Sequence, residues 1–459
     1  MKISFREKVG YGLGDAASSM FWKLFSMYLL FFYTDVFGIN AAAVGTMFLI
    51  TRIWDTINDP IVGAIADRTH SRWGKFRPYI LWTAIPFGIF GVLTFSSPDF
   101  GPTGKLVYAY ITYSVMMMVY SLINVPYASL LGVISDDPKQ RTILSSYRMV
   151  FAFGGSILAL VLIEPLVQYF SAGGTDLQQG WQMGAGVIAL LAVSLFFLNF
   201  HWTRERVKPI KKQNNRLRDD LSDLLHNRPW WILLGAGVSA LIFNSIRDGA
   251  AVYYFKYYAH DGNIGILSSS LSITTIYLIL GQAANIAGIL LIAPLANRAG
   301  KKTAYLASMV VATILSIAFY YVGRENLIMM MVLQVGISMC AGSIFPLLWS
   351  MYADIADYSE VKTGRRATGL IFSSSSMSQK LGWTIGGALT GWLLGYFGFQ
   401  ANVEQSEFAQ NGIRMMLSVF PAIGAGLSIL FIALYPIGRN ELERIQARLH
   451  ELRNKKEYE

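Results

Sequence analysis

The sequence predicts an all-α integral membrane protein with twelve transmembrane helices arranged as two six-helix bundles. Three observations predict it. Of 459 residues, 54% are hydrophobic and only 14% are charged, with a mean hydropathy of +0.42, a balance foreign to soluble chains of this size. Apolar stretches follow one another along most of the chain, and about 20 mainly apolar residues suffice to cross a bilayer. The basic residues fall in alternate loops, as a chain crossing back and forth requires.

Counted in order, the stretches run over 10–37, 42–66, 77–97, 105–134, 142–170, 181–201, 231–258, 266–296, 303–322, 326–353, 367–399 and 410–437. Several exceed the minimum, which implies tilt or ends that protrude from the hydrocarbon. The first carries Asp15 and lacks a small-residue cleavage motif, so it is expected to stay as a helix and not to act as a signal peptide.

Twenty-nine Lys and Arg lie in the two tails and alternate loops, whereas the remaining loops hold only Lys105 and Arg324. That asymmetry places both termini and the long loop after the sixth span in the cytoplasm of a cell (inner) membrane protein. The net charge of +10 is therefore topological, and no basic face for nucleic acid is expected. The single cysteine, Cys340, cannot form an intramolecular disulfide.

Residues 203–230 are rich in Lys, Arg, Asp and Asn and form the expected cytoplasmic linker, with amphipathic potential in RLRDDLSDLL for a short surface helix. They separate an N-terminal bundle, 1–202, from a C-terminal bundle, 231–437, which a basic tail, 438–459, follows. An internal echo supports the division. Ala66-Asp67-Arg68 with Gly74-Lys75 after the second span recurs as Ala296-Asn297-Arg298 with Gly300-Lys301 after the eighth. Two parallel six-span halves are a transporter plan with the substrate site where the repeats meet.

Seven basic residues fall within the spans: Lys23, Arg52, Arg148, Arg247, Lys256, Lys380 and Arg414. A charge at the bilayer centre costs about 2.5–3.5 kcal/mol or more, so each needs a partner or water. Lys256 and Arg414 lie near span ends and are read as snorkelling. For the deeper five, the acidic candidates are Asp15, Asp55, Asp59, Glu164 and Asp248. Near-balanced sets on several helices imply a shared polar cavity, with pairwise structural ion pairs as the alternative.

The sharpest local feature is Arg52-Ile53-Trp54-Asp55-Thr56-Ile57-Asn58-Asp59-Pro60. At helical pitch Asp55 and Asp59 lie about 40° apart on one face, bordered by Asn58. Two carboxylates so close in low dielectric need a proton or a cation between them. Their oxygens suit a hard cation such as sodium; the plainer reading is that Arg52 and Lys380 neutralise them. On the fourth span Tyr120, Ser121 and Asn124 share a polar stretch before Pro126. Ser121 can add a hydroxyl oxygen to a cation and Asn124 both donor and acceptor to a sugar hydroxyl, or both hold helices together. Trp22 beside Lys23, and Trp349 and Tyr352 before Asp354, Asp357 and Glu360, offer aromatic faces for a pyranose ring. Gly387, Gly391 and Gly395 form a small-residue stripe read as close helix packing.

No G-x-x-x-x-G-K-[ST] stretch occurs, so ATP is not the evident energy source. The five histidines lie in loops, tails or span ends, which disfavours an intramembrane zinc cluster. Nothing resembles a nucleophile elbow, and an enzyme is not expected.

The motifs YGLGDAAS, FFYTDVFGI, RIWDTINDPIVG, ADRTHSRWGKFRP, INVPYASL and YADIADYSE with GRRATG resemble those of the glycoside–pentoside–hexuronide:cation symporters, the melibiose permease group of the major facilitator superfamily. The resemblance covers nearly the whole chain. It implies the major facilitator fold and a carrier that takes up a sugar derivative with Na+ or H+ and has no other cofactor. By position it implies a cation site of Asp55, Asn58, Asp59 and Ser121, the last where melibiose carriers have threonine. Lys380 matches the family's span-eleven lysine and Arg148 its span-five arginine. Ser19, Asn124 and Ala128 stand where melibiose carriers have two carboxylates and a tryptophan, which argues against a melibiose-like substrate. The substrate set expected here is Asp15, Ser19, Trp22, Lys23, Tyr120, Asn124, Arg148, Asp248, Trp349 and Lys380. Its retained cations suit a hexuronide carboxylate, although Asp15 and Asp248 partly restore the balance and neutral pentosides stay open.

The expected cycle begins when Na+ or H+ neutralises the Asp55/Asp59 pair, which frees Lys380 or reorients the second span and completes the sugar site. Cation and sugar then each raise the other's affinity, and the bundles rock about the site. Asp67, Arg68, Arg72 and Lys75, with Asp354, Asp357, Arg365 and Arg366, are expected to latch the cytoplasmic side. The expected partners are a small sugar derivative and membrane lipid, with the carrier working as a monomer. The competing readings are an exporter or lipid carrier of the same fold, and a glycoside sensor that binds without flux.

Overall fold

The computed structural model describes residues 3–69, 71–135, 138–206, 225–259, 272–363 and 368–457, and among them there is no strand. The helices are α1 (Phe5–Met27), α2 (Ala41–Arg68), α3 (Arg77–Thr94), α4 (Pro102–Ile134), α5 (Pro138–Phe170), α6 (Leu177–Trp202), α7 (Arg228–Tyr253), α8 (Ile273–Ala299), α9 (Lys301–Tyr320), α10 (Leu327–Thr363), α11 (Thr368–Tyr396), α12 (Glu407–Leu417), α13 (Val419–Ala433) and α14 (Arg439–Glu457). A helical turn, Leu29–Phe31, and a π-helical turn, Phe32–Val36, follow α1, and a second π-helical turn, Tyr254–Tyr258, follows α7.

Side chains at the starts satisfy the orphan N–H groups that every helix leaves. Ser4 Oγ accepts from Glu7 N, Asn40 Oδ1 from Ala42 N and Ala43 N, and Asp176 Oδ1 from Gln179 N.

Among the described residues, eight segments are long and apolar enough to cross a membrane by length and composition. Helices α1, α2 and α11 have 23, 28 and 29 residues, enough to span with tilt, and α3, with 18, is at the lower limit for an upright span. Three of the four carry the embedded charges: Asp15 and Lys23, Arg52, Asp55 and Asp59, and Lys380. A helix that faces a polar interior loses mean hydropathy while keeping its length.

The last expected span, 410–437, is broken into α12 and α13 at Ser418. Pro421 has no N–H to return to the Leu417 carbonyl one turn back. That carbonyl instead accepts from the Arg247 guanidinium, whose other donors reach Ser316 Oγ at 3.3 Å and Gln334 Oε1 at 2.8 Å. Arg247 thus bonds to three neutral oxygens, one of them released by a proline.

The chain forms two compact units. The first comprises Met1–Lys211, Gly249–Ile279 and Ala388–Gly412, the second Lys212–Asp248, Leu280–Gly387 and Ile413–Glu459. In the first, α1 packs on α5 and α6, α3 on α4 and α6, and α2 on α4. Gly155 permits a close approach of α1 and α5, since a Cβ there would stand 2.7 Å from Ala16 Cα. In the second, Gly382 and Gly386 of α11 lie against Leu241 and Ser245 of α7. First and fifth helices of each half thus meet at a glycine face, which carries the internal echo into the packing. The stripe expected on α11 also packs closely, with Gly391 against Gly45 and Ala41 and Gly395 against Ala42.

Residues 203–206, the expected start of the linker, are ordered as a bracket. Glu205 accepts from the backbone N–H groups of Lys75, Phe76 and Arg77 at 2.9, 2.8 and 2.9 Å, placing a carboxylate at the positive end of α3. Arg206 grips Glu7 with two hydrogen bonds of 2.6 and 2.8 Å, which raise the guanidinium above the ordinary arginine value. The amphipathic stretch RLRDDLSDLL lies outside the described residues, except for Leu225. In the second unit Lys302 Nζ donates to the Ala433 and Tyr435 carbonyls at 3.0 and 2.6 Å, and Arg439 to the Arg298 carbonyl at 3.0 Å. The loop after the second helix of each half is thus fastened by the chain that follows the half's last span.

Candidate cation and substrate site

Helices α1, α2 and α4 of the first unit bring most of the expected residues together. Asp55 and Asp59 are one helical turn apart, so α2 presents both carboxylates on one face, and Ser121 of α4 meets them there. Ser121 Oγ stands 2.6 Å from Asp55 Oδ1 and 2.6 Å from Asp59 Oδ1. Asp55 and Ser121 are each 1% exposed and Asn58 is 8% exposed, whereas Asp59 is half-buried.

Stoichiometry constrains this cluster. A serine hydroxyl has one hydrogen, so it can donate to only one of the two carboxylates. The second 2.6 Å contact is therefore an oxygen–oxygen approach with no hydrogen from Ser121, a geometry that a cation shared by the oxygens would satisfy. Two carboxylates that converge on one hydroxyl repel each other, and a positive charge beside them offsets that repulsion. Asn58 adds a buried amide whose Nδ2 has no hydrogen-bond partner. Rotation of that amide by half a turn exchanges nitrogen for oxygen without changing its shape, giving the cluster a further neutral ligand.

Arg52, one helical turn before Asp55, is 8% exposed. Its Nε donates to Tyr113 OH at 3.0 Å, and its guanidinium lies 4.4 Å from the Trp22 ring centroid, a cation–π contact strengthened by desolvation. Trp22 in turn sits 5.6 Å from the Tyr120 ring. Trp22, an aromatic expected to stack on the sugar, therefore adjoins the guanidinium one turn before Asp55, with Tyr120 of the expected substrate set behind it.

Asp15 Oδ2 pairs with Arg148 Nε at 2.9 Å, and the two side chains are 15% and 34% exposed. Arg148 also lies 5.3 Å from the Tyr127 ring. Asn124 Oδ1 accepts from Ser18 Oγ at 2.8 Å and its Nδ2 donates to the Tyr120 carbonyl at 3.0 Å. One amide hydrogen and one lone pair are left over for a ligand. Ser19 and Lys23 are half-buried on α1. Asp248, Trp349 and Lys380 are half-buried in the second unit.

Among the residues expected to latch the cytoplasmic side, Asp354 pairs with Lys301 at 2.7 and 2.8 Å inside the second unit. Arg72 lies over the Trp73 ring, Arg68 is exposed, and Lys75 and Asp357 are half-buried. The Asp67 side chain, Arg365 and Arg366 lie outside the described residues.

Two embedded charges differ from their expected roles. Glu164 bonds to neutral donors, the Ser272 N–H at 3.1 Å and the Thr275 hydroxyl, because it caps the start of α8. Lys256 does more than snorkel: it pairs with Asp35 at 2.8 Å, an acid absent from the expected partners although it lies within the FFYTDVFGI motif. Arg414 stacks 4.1 Å from the Tyr320 ring and donates to the Tyr320 carbonyl.

The family model described as MFS/sugar transport protein matches residues 10–439. The inner membrane symporter YicJ of Escherichia coli is 37% identical over 94% of this chain and 92% of its own length. The isoprimeverose transporter of Lactiplantibacillus pentosus is 36% identical over 96% of this chain and 90% of its own. Among solved structures, the nucleoside transporter NupG superposes with a TM-score of 0.64 at 16% identity, covering 94% of this chain and 99% of that one, a likeness of fold.

Proposed function

This chain belongs to the MFS/sugar transport protein family, and from that premise we propose that it is a multi-pass carrier importing a glycoside, pentoside or hexuronide together with Na+ or H+ by alternating access. Relatives named as an inner membrane symporter, a glycoside/cation symporter and an isoprimeverose transporter, at 34–37% identity, support cation-coupled sugar transport. The observation that carries the coupling is the single Ser121 hydrogen set between two carboxylates 2.6 Å away.

In this reading twelve spans cross the inner membrane with both termini in the cytoplasm, and the carrier works as a monomer. Asp55, Asn58, Asp59 and Ser121 hold the cation or its equivalent proton. Trp22, Tyr120, Asn124, Arg148 and Asp15 of the first unit take part in sugar binding, with Ser19 and Lys23 beside them on α1. Asp248, Trp349 and Lys380 of the second unit belong to the same proposed set. A cation on the carboxylate pair removes one negative charge from the face that adjoins Arg52 and Trp22, so cation occupancy changes the field the sugar meets. Linkage then makes each ligand strengthen the other. Binding without flux, as in a sensor, has no support in the relatives' names.

Purified carrier in proteoliposomes, given an inward Na+ or H+ gradient and screened against glucuronides, xylosides and galactosides, tests the proposal. Accumulation of one of these above its external concentration is expected. Movement only down the sugar's own gradient under both ions overturns it.

A further inference from the structure

A second buried polar cluster lies in the first unit, beyond the C-terminal end of α1. The first helix of each half ends in a π-helical turn, Phe32–Val36 after α1 and Tyr254–Tyr258 after α7. A π-helical turn holds more residues than an α-turn, so it re-aims the side chains that follow. Here the two turns aim at each other. Asp35 Oδ1 of the first accepts from Lys256 Nζ of the second at 2.8 Å and from the Tyr257 hydroxyl. Asp35 Oδ2 accepts from Thr34 Oγ1 at 2.6 Å, and Thr34 Oγ1 lies 2.8 Å from Tyr253 OH.

Asn402, in the loop between α11 and α12, closes the cluster from a third direction. Its Nδ2 donates to the Asp35 carbonyl at 2.6 Å, its Oδ1 accepts from Lys256 Nζ at 2.9 Å, and its backbone N–H donates to Tyr257 OH at 2.9 Å. It adopts φ +60, a left-handed conformation that asparagine tolerates better than most residues. By the distribution of Lys and Arg, all three segments lie at the non-cytoplasmic ends of their spans. In the same unit, Trp392 Nε1 donates to Thr46 Oγ1 at 3.0 Å, beside the contact of Gly391 with Gly45.

We propose that Asp35, Lys256, Tyr257 and Asn402 form the outer gate of the carrier, a polar lock that breaks for each loading event and re-forms behind the cargo. This rests on the alternating-access import proposed above. The chemistry suits a lock that opens repeatedly. The Asp35 side chain is 1% exposed and Lys256 is 36% exposed, so closing removes a carboxylate from water and opening restores its hydration. That desolvation offsets most of the Coulombic gain, which leaves the closed state favoured by little and the lock reversible. An apolar plug of similar size would gain from burial with no such offset.

The test is a distance measurement on the full-length carrier in lipid, with Cys340→Ser and nitroxide labels at Thr175→Cys and Glu404→Cys, two exposed sites of the first unit. Lys256→Gln is expected to raise the ratio of long to short label distances by about tenfold or more, since the buried Asp35 carboxylate is left unpaired in the closed state, and Asp35→Asn, which leaves a part-exposed ammonium, by about threefold. Tyr257→Phe, which removes one hydroxyl and no charge, is expected to move the ratio the same way by a smaller factor. A ratio unchanged in all three overturns the assignment. Cation-driven sugar uptake is measured on the same vesicles. If the unaltered carrier shows none while the distances respond, the import reading fails and the lock stands.

Discussion

Asp15 and Arg148 form an ion pair of 2.9 Å between α1 and α5, so the guanidinium best placed to attract a substrate carboxylate is already answered by the protein. Both side chains keep some contact with water, which screens the pair and leaves it open to exchange with a charged ligand. Asp15→Asn is expected to raise uptake of a hexuronide over a neutral xyloside by about tenfold, because it frees one positive charge and lowers no other. Competition uptake with the two sugars measures the ratio; an unchanged ratio separates Arg148 from substrate selection.

Ser121→Ala removes the hydrogen and the oxygen that join Asp55 to Asp59. A hydrogen bond to a charged group contributes about 1.5–3 kcal/mol, so the cation concentration for half-maximal sugar uptake should rise about ten- to hundredfold. Ser121→Thr, which keeps the hydroxyl, should stay close to the unaltered carrier. Equal midpoints for alanine and serine would remove Ser121 from the cation's coordination.

Much of this arrangement was legible because it depends on spacing along one helix. The apolar runs, the alternation of basic loops and the shared face of Asp55 and Asp59 all follow from helical pitch and membrane thickness. Pairings between helices were not. Asp35 and Lys256 are 221 residues apart, and no local pattern announces the two π-helical turns that aim them at each other. Nothing in the sequence around Arg247 shows that Pro421 releases a carbonyl for it. Glu205 lies in the linker by sequence, and only folding brings it to the start of α3.

The Arg247 arrangement makes a prediction of its own about stability. Arg247→Leu strands the Leu417 carbonyl and should lower stability in detergent by about 1–3 kcal/mol. In that background Pro421→Ala returns an N–H to the same carbonyl and should recover part of the loss. Thermal unfolding of the two single variants and the double variant gives the coupling; strictly additive losses would contradict it.

Asn124 spends half of its hydrogen-bonding capacity on Ser18 and the Tyr120 carbonyl and has half to offer a sugar. Asn124→Ala should weaken sugar binding several-fold, in line with the loss of about 0.5–1.5 kcal/mol per neutral hydrogen bond, while cation binding changes less. Sugar and cation titrations of the purified variant separate the two. A sugar dissociation constant equal to that of the unaltered carrier would take Asn124 out of the site.

Asp59→Cys removes one of the two carboxylates that share the Ser121 hydrogen, and with it the need for a charge-balancing ion. The variant should insert normally yet lose cation-stimulated accumulation, as read by uptake into vesicles with and without an imposed gradient. Full gradient-driven accumulation would refute the role given to Asp59.

The central claim is that an ion on the Asp55/Asp59 pair strengthens sugar binding. Calorimetric titration of sugar into the purified carrier, with and without Na+ at a pH that leaves protons scarce and again at a pH that supplies them, tests it most directly. A sugar dissociation constant lowered by about tenfold or more when one of the two ions is supplied is the predicted result. The same constant under every condition would contradict the account.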